Sequence, residues 1–193
     1  MSGDRNLRRQ EFDLTHALFQ KILHPHKRVS RRLRALGAIR RGVMIEINGV
    51  AHVMLNVSEW AMCRSFYEAL LPFLGLKQVF NGEENIYYVG GRTAIGVSPC
   101  HEKHSGQRFA QGCVGLHHIC FRGRSREDID SLYLFLQKLN ATIVYPPREG
   151  PWAPGYYSIL FEDPAGIRLE MNYVPGKGVL EEGVQFDPAG DYK

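Results

Sequence analysis

Two stretches of this 193-residue chain carry the same signals in the same order. GVAHVMLNVSEWAMCRSFYEALLPFLGLKQVF starts at Gly49, and GLHHICFRGRSREDIDSLYLFLQKLNATIVY starts at Gly115. Each opens on an alternating stretch with a histidine near its start, His52 or His118, a pattern that predicts a half-buried strand. Each then has a serine, Ser58 or Ser125, placed to cap a helix, since its hydroxyl can satisfy the free N–H groups of the first turn. Asp128, three residues after Ser125, completes a near capping box. The helical apolar faces are Trp60, Phe66, Leu70 and Phe73 in one copy, and Ile129, Leu132, Leu136 and Leu139 in the other. Gly75 and Asn140 suit left-handed C-caps, and KQVF and ATIVY return as strands. IYYVGGRTAIGVS (86–98) then reads as a hairpin turning at Gly90–Gly91, and YYSILFEDPAGIRLEMN (156–172) as one turning at Asp163–Gly166. The order β-α-β-β-β therefore occurs twice. Such a repeat limits the fold to an α+β class: paired modules forming a curved, cup-like mixed sheet of eight strands with the helices outside.

The rest of the chain frames that domain. Residues 1–45 hold eleven Lys and Arg against three Asp and Glu; the remainder holds thirteen against seventeen. The basic character thus belongs to an N-terminal extension. Leu14, Leu18 and Ile22, then Val29, Leu33 and Leu36, recur at helical spacing. The expected organisation is a basic helical extension at 1–46, a paired-module domain at 47–175 (module one 48–100, module two 114–174) and a C-terminal tail at 176–193. The extension reads as an arm docked on the body or on a partner subunit, helical over 12–36, rather than as a nucleic-acid or membrane patch. No apolar run is long enough to span a bilayer, and no signal-peptide pattern appears. Four cysteines without a C-x-x-C pair read as reduced thiols. A soluble cytoplasmic protein is expected.

Parity along the strands selects candidate ligands. Val53 and Leu55 face the helix, so His52 and Met54 face the cup. Ile119 and Phe121 face the helix, so His118 and Cys120 face the cup, and His117 falls on the helix side as a rim or hydrogen-bonded histidine. In IRLEMN, Ile167, Leu169 and Met171 share one face, and Arg168, Glu170 and Asn172 the other. A glutamate inside an apolar strand is costly unless it has a partner, and a metal is one such partner. Two imidazoles and one carboxylate form the set used by non-haem Fe(II), which leaves positions open for substrate and a small molecule. Fe(II) is favoured; Mn(II), Zn(II) and Ni(II) are compatible with the same donors.

The doubled module, with a histidine in the first strand of each copy and the closing motif DPAGIRLE (163–170), resembles the vicinal oxygen chelate superfamily. That superfamily includes glyoxalase I, type I extradiol dioxygenases, fosfomycin resistance enzymes and bleomycin-binding proteins. The resemblance covers residues 48 to about 175 and implies a metal site at His52, His118 and Glu170. It also implies chelation of two adjacent oxygens of a small organic substrate, and a homodimer. Glyoxalase I adds a fourth ligand in the last strand of its first module, whereas RTAIGVSP (92–99) offers none. Three ligands favour ring-cleaving, extradiol-type dioxygenase chemistry. A glyoxalase-like lyase or isomerase, a thiol transferase of fosfomycin-resistance type and a metal-free small-molecule-binding protein are the alternatives. Candidate acid–base groups are Tyr156, Tyr157, His101 and His104. Met54 and Cys120 would line the cup, and YPPREGPWAPGYYS would supply a rim, with Arg148 for a substrate carboxylate and Trp152 for packing.

Overall fold

Strand β1 (His52–Val57), helix α1 (Trp60–Phe73) and strands β2 (Lys77–Asn81), β3 (Ile86–Val89) and β4 (Ala94–Pro99) form the first βαβββ unit. The second repeats it with β5 (Ile119–Arg122), α2 (Arg126–Lys138), β6 (Thr142–Glu149), β7 (Tyr157–Glu162) and β8 (Arg168–Tyr173). The computed structural model describes residues 46–186, nearly all within one compact unit, Gly49–Lys193. The helical arm expected at 12–36 lies outside the described residues. Strand order is β1-β4-β3-β2 in one sheet and β5-β8-β7-β6 in the other. The pairs β1–β4 and β5–β8 are parallel and the rest antiparallel, so both sheets are mixed. The fold is α+β, as the repeat implies. The eight strands fall into two open four-stranded sheets.

Local chemistry accounts for the helix ends. α1 and α2 close identically: Leu76 N–H donates to Leu71 O and Gly75 N–H to Pro72 O, while Ala141 N–H donates to Leu136 O and Asn140 N–H to Gln137 O. This double bond needs a left-handed residue, supplied by Gly75 (φ +82°) and by Asn140 (φ +51°). The N-termini differ. Ser125 Oγ accepts from Asp128 N–H, and the Asp128 carboxylate accepts from Ser125 N–H, a complete capping box. α1 instead begins after Glu59, with no side-chain cap, so Ser58 does not do what Ser125 does.

The apolar faces meet between the sheets and the helices. Phe66, Tyr67, Leu70 and Leu71 of α1 lie over Leu55, Val57, Ile95 and Val97, and Ile129, Leu132 and Leu136 of α2 lie over Ile159, Phe161 and Leu169, all buried. The modules join through these helices and one turn. The fully buried Tyr67 hydroxyl donates to the Asp163 carboxylate at 2.9 Å, Phe109 N–H donates to Ala165 O, and Phe73 stacks on Phe135. β1 and β5 stay at the edges of separate sheets. Each module therefore presents its own concave half-cup. Among the described residues no helix is long and apolar enough to cross a membrane.

Candidate metal centre

The second half-cup is built on β8. Leu169 is fully buried against the helix layer, so Glu170 must face the other way, between Cys120 of β5 and Leu160 of β7. Glu170 is only 5% exposed. Its carboxylate is nevertheless fully engaged: Oε2 lies 3.1 Å from His118 Nε2, and Oε1 accepts from the Tyr156 hydroxyl at 2.6 Å. Burial alone would raise the Glu170 carboxyl, but hydrogen bonds from His118, Tyr156 and Ser158 outweigh it and hold the group below the ordinary carboxylate range. Tyr156 moves the opposite way: burial, with the bond to Glu170, pushes its phenol far above the usual tyrosine value. It is therefore a hydrogen-bond donor that orients Glu170. His118 is oriented from behind, with its Nδ1 2.7 Å from His117 Nδ1. His117 in turn meets the Gln111 amide. These groups open onto a cavity of about 340 Å³ that also takes in Cys120, Tyr145, Trp152 and Leu160, with Val179 and Leu180 of the tail.

The first half-cup is different. His52 and Met54 lie on the sheet face turned away from the Leu55 and Val57 core side, in register with Ala94 and Gly96 of β4, and both are exposed. Gly96 holds the place in β4 that Glu170 holds in β8, since each lies opposite the residue two after the module's histidine. A Cβ added to Gly96 would collide with the Met54 thioether and come within 2.9 Å of the Tyr87 ring. A thioether thus occupies the space a fourth ligand would need. His118 and Glu170 converge, whereas His52 belongs to the other sheet. Among the described residues of one chain, no three His, Cys, Asp or Glu side chains cluster as a metal site.

The profile of the Glyoxalase/Bleomycin resistance protein/Dioxygenase superfamily matches residues 49–171. The chain belongs to this superfamily. Among its relatives is YqjT of Bacillus subtilis, an uncharacterised protein 26% identical over 122 residues, spanning 62% of this chain and 94% of that one. A candidate glyoxalase from Bacillus halodurans is 26% identical, with a TM-score of 0.59 over 66% of this chain and 96% of that one. A glyoxalase-related enzyme from Fulvimarina pelagi is 18% identical, with a TM-score of 0.52 over 67% and 90%, and shares the fold. The superfamily's name spans two kinds of enzyme and a resistance protein, so membership fixes the architecture and leaves the reaction to the site.

Within this superfamily domain the remaining expected residues scatter. Trp152, Tyr156 and Cys120 line the cavity. Tyr157 faces the helix side, donating to Asp130 of α2 with Arg126 over its ring. Arg148 lies over the Tyr145 ring and does not line the cavity. His101 and His104 lie in the linker between modules, beside a separate polar cavity with Asn56 and Arg108; His101 accepts from Lys103 N–H and His104 meets Gln107. His117 corrects the parity reading. It was expected on the helix side as a rim or hydrogen-bonded histidine; it is hydrogen-bonded, to Gln111 and His118, but it lines the cavity, because it precedes the strand and is not bound by its alternation. Arg122, Asn172 and Gln111 also line the cavity without having been singled out. Arg122 and Asn172 share the cup-facing parity of Cys120 and Glu170, so that signal was available.

Proposed function

We propose that the protein is a metal-dependent dioxygenase of the extradiol type, acting on a small organic substrate through two adjacent oxygens, with its site completed across a homodimer. The supporting observation is a pair without a complete cluster: His118 and Glu170 lie 3.1 Å apart, among the described residues no third His, Cys, Asp or Glu joins them in a metal-holding group, and His52 stands exposed in the other half-cup. The first half-cup also leaves apolar surface uncovered, with Met54 52% and Phe80 53% exposed. A two-fold pair would lay the first half-cup of each copy over the second half-cup of the other, bringing His52 of a second copy to His118 and Glu170 twice per dimer. The donor set fits Fe(II); Mn(II), Zn(II) and Ni(II) suit the same groups. When bound, such an ion stabilises the anion that forms on a chelated substrate oxygen.

The chain's own groups do the rest. A proton on His118 Nε2 satisfies Glu170 in the absence of metal. To serve as a ligand through Nε2, His118 must release it; the neutral ring then carries its proton on Nδ1 and donates to His117 Nδ1. Tyr156 keeps its proton and fixes Glu170. His117, whose Nδ1 takes that bond and whose own proton then sits on Nε2, has no free lone pair for a substrate proton; its part is to orient His118. Aromatic and aliphatic walls from Tyr145, Trp152 and Leu160 suit a flat ring and exclude water. Four free thiols fit a reducing, cytoplasmic compartment.

The resemblance to a candidate glyoxalase keeps a lyase as the second reading, and Met54 over Gly96 weighs against it. Fe(II)-loaded protein should consume O₂ with one or more members of a catechol panel, and Ni(II)- or Zn(II)-loaded protein should leave the glutathione hemithioacetal unchanged. The reverse pattern would establish the lyase. Site sharing has its own test. His52→Ala and Glu170→Ala proteins should each fail to bind metal, whereas an unfolded and refolded equimolar mixture should recover about a quarter of the wild-type sites, since half the dimers are mixed and each holds one intact site. No recovery on mixing would place all three ligands within one chain.

A further inference from the structure

The cavity holds more positive charge than its own acids can use. Glu170 is committed to His118 and Tyr156. Of the cations that line the cavity, Arg168 is paired with Glu162 at 3.4 Å. Arg122 and Lys177 line the same cavity, and among the described residues neither side chain has a carboxylate partner. Next to Arg122 is a second irregularity. Asn172, its register partner on β8, is 9% exposed, and its Oδ1 is buried with no hydrogen-bond donor. A buried carbonyl oxygen left unpaired is costly and uncommon. A guanidinium carries five donors in a rigid fork, so one Arg122 can serve Asn172 Oδ1 with one edge and an anion with another.

We propose that this cavity selects an organic anion: a substrate with an apolar or aromatic body whose carboxylate-type group is held by Arg122, with Lys177 from the tail adding charge. The body lies against Tyr145, Trp152 and Leu160, and drawing Arg122 inward onto the anion gives Asn172 its missing donor. The inference rests on the reading of this cavity as the substrate site. It assigns to Arg122 the role first expected of Arg148, which is turned onto the Tyr145 ring.

The test compares 3,4-dihydroxybenzoate with its uncharged amide, 3,4-dihydroxybenzamide, titrated into metal-free full-length protein and followed by ligand-observed NMR. The acid should bind about tenfold more tightly than the amide, equivalent to about 1.4 kcal/mol, and the difference should shrink as salt is raised. Arg122→Gln should bring the two ligands to within about twofold of each other while keeping the affinity for the amide, and Lys177→Gln should narrow the gap by a smaller factor. Equal binding of acid and amide to the wild type, binding of neither, or an undiminished preference in Arg122→Gln would each overturn the proposal. Working without metal separates the two readings: a protein that takes up no metal can still show the charge preference, and one that takes up metal can still lack it. Arg122→Gln is also assayed for metal uptake, and a loss there would mark Arg122 as structural and end the proposal.

Discussion

The two half-cups share one backbone plan and carry opposite contents. In the second, the residue of the closing strand that faces the cup is Glu170, 5% exposed and held by His118 and Tyr156. In the first, the same position is Gly96, and the Met54 thioether fills the room above it. The repeat therefore dictates strands, helices and C-caps, while a single position per module decides whether that module can hold charge. A glutamate is kept where three donors satisfy it. A glycine and a soft side chain are kept where none do. This asymmetry leaves one chain with a buried Glu170 paired to His118 on one face and an exposed apolar surface with one histidine on the other.

Ligand removal should give the largest effects. Glu170→Ala should lower metal affinity by more than the roughly 10–100-fold typical of outer-shell partners, measured by metal analysis after dialysis. His117→Ala should fall within that 10–100-fold range, because it orients His118 and is not itself a ligand. Met54→Ala, in the other half-cup, should change metal uptake little. Equal losses for Glu170→Ala and Met54→Ala would erase the distinction between the modules.

Next in size is the turn that closes each module. Asp163 accepts from the buried Tyr67 hydroxyl and from Ile167 N–H, tying the second module's turn into α1. Burial raises the Asp163 carboxyl, so removing it also relieves a desolvated charge. Each group orphaned by Asp163→Ala costs roughly 1–3 kcal/mol; after that relief a net loss of about 3 kcal/mol is expected by urea denaturation. The matching turn of the first module carries no such tie: a Cβ on Gly91 meets nothing within 4 Å. Gly91→Ala should stay within about half a kcal/mol. Similar losses in the two turns would show that the modules are anchored alike.

Much of this was legible from alternation and caps. Glu170 and Cys120 fall where period-two parity puts them, because they lie inside the regular strands β8 and β5; His118 reaches the cavity from the segment before β5, one residue outside that alternation. His117 escaped because it sits in the segment before β5, where parity has no hold. The joining of the modules escaped for a different reason. The apolar faces of α1 and α2 would be buried equally well whether the two sheets met edge to edge or the modules met through their helices. The choice depends on long-range partners such as Tyr67 and Asp163, ninety-six residues apart, which no local pattern links.

A smaller effect tests the packed glycine. Gly96→Ala forces Met54 aside, and overpacking typically costs about 1–3 kcal/mol; a flexible, half-exposed thioether places it at the low end, near 1 kcal/mol. Met54→Ala should rescue most of that loss. Losses that simply add in the double variant would mean the two side chains do not compete for the same space.

The smallest expected difference lies at the helix N-termini, where the two copies look most alike in sequence. Ser58 and Ser125 both precede a helix and follow a first strand. Only Ser125 accepts from a first-turn N–H, and only its helix has an acidic partner, Asp128, three residues on to return the bond. At the equivalent place the first module has Ala61, which cannot complete a box, and the helix starts one residue later, after Glu59. Ser125→Ala should therefore cost about 1 kcal/mol, and Ser58→Ala no more than a few tenths, since a surface serine without a cap bond leaves nothing unpaired. Thermal unfolding of the two variants side by side resolves a gap of that size. If Ser58→Ala lost as much as Ser125→Ala, α1 would have to be capped in solution by Ser58 after all.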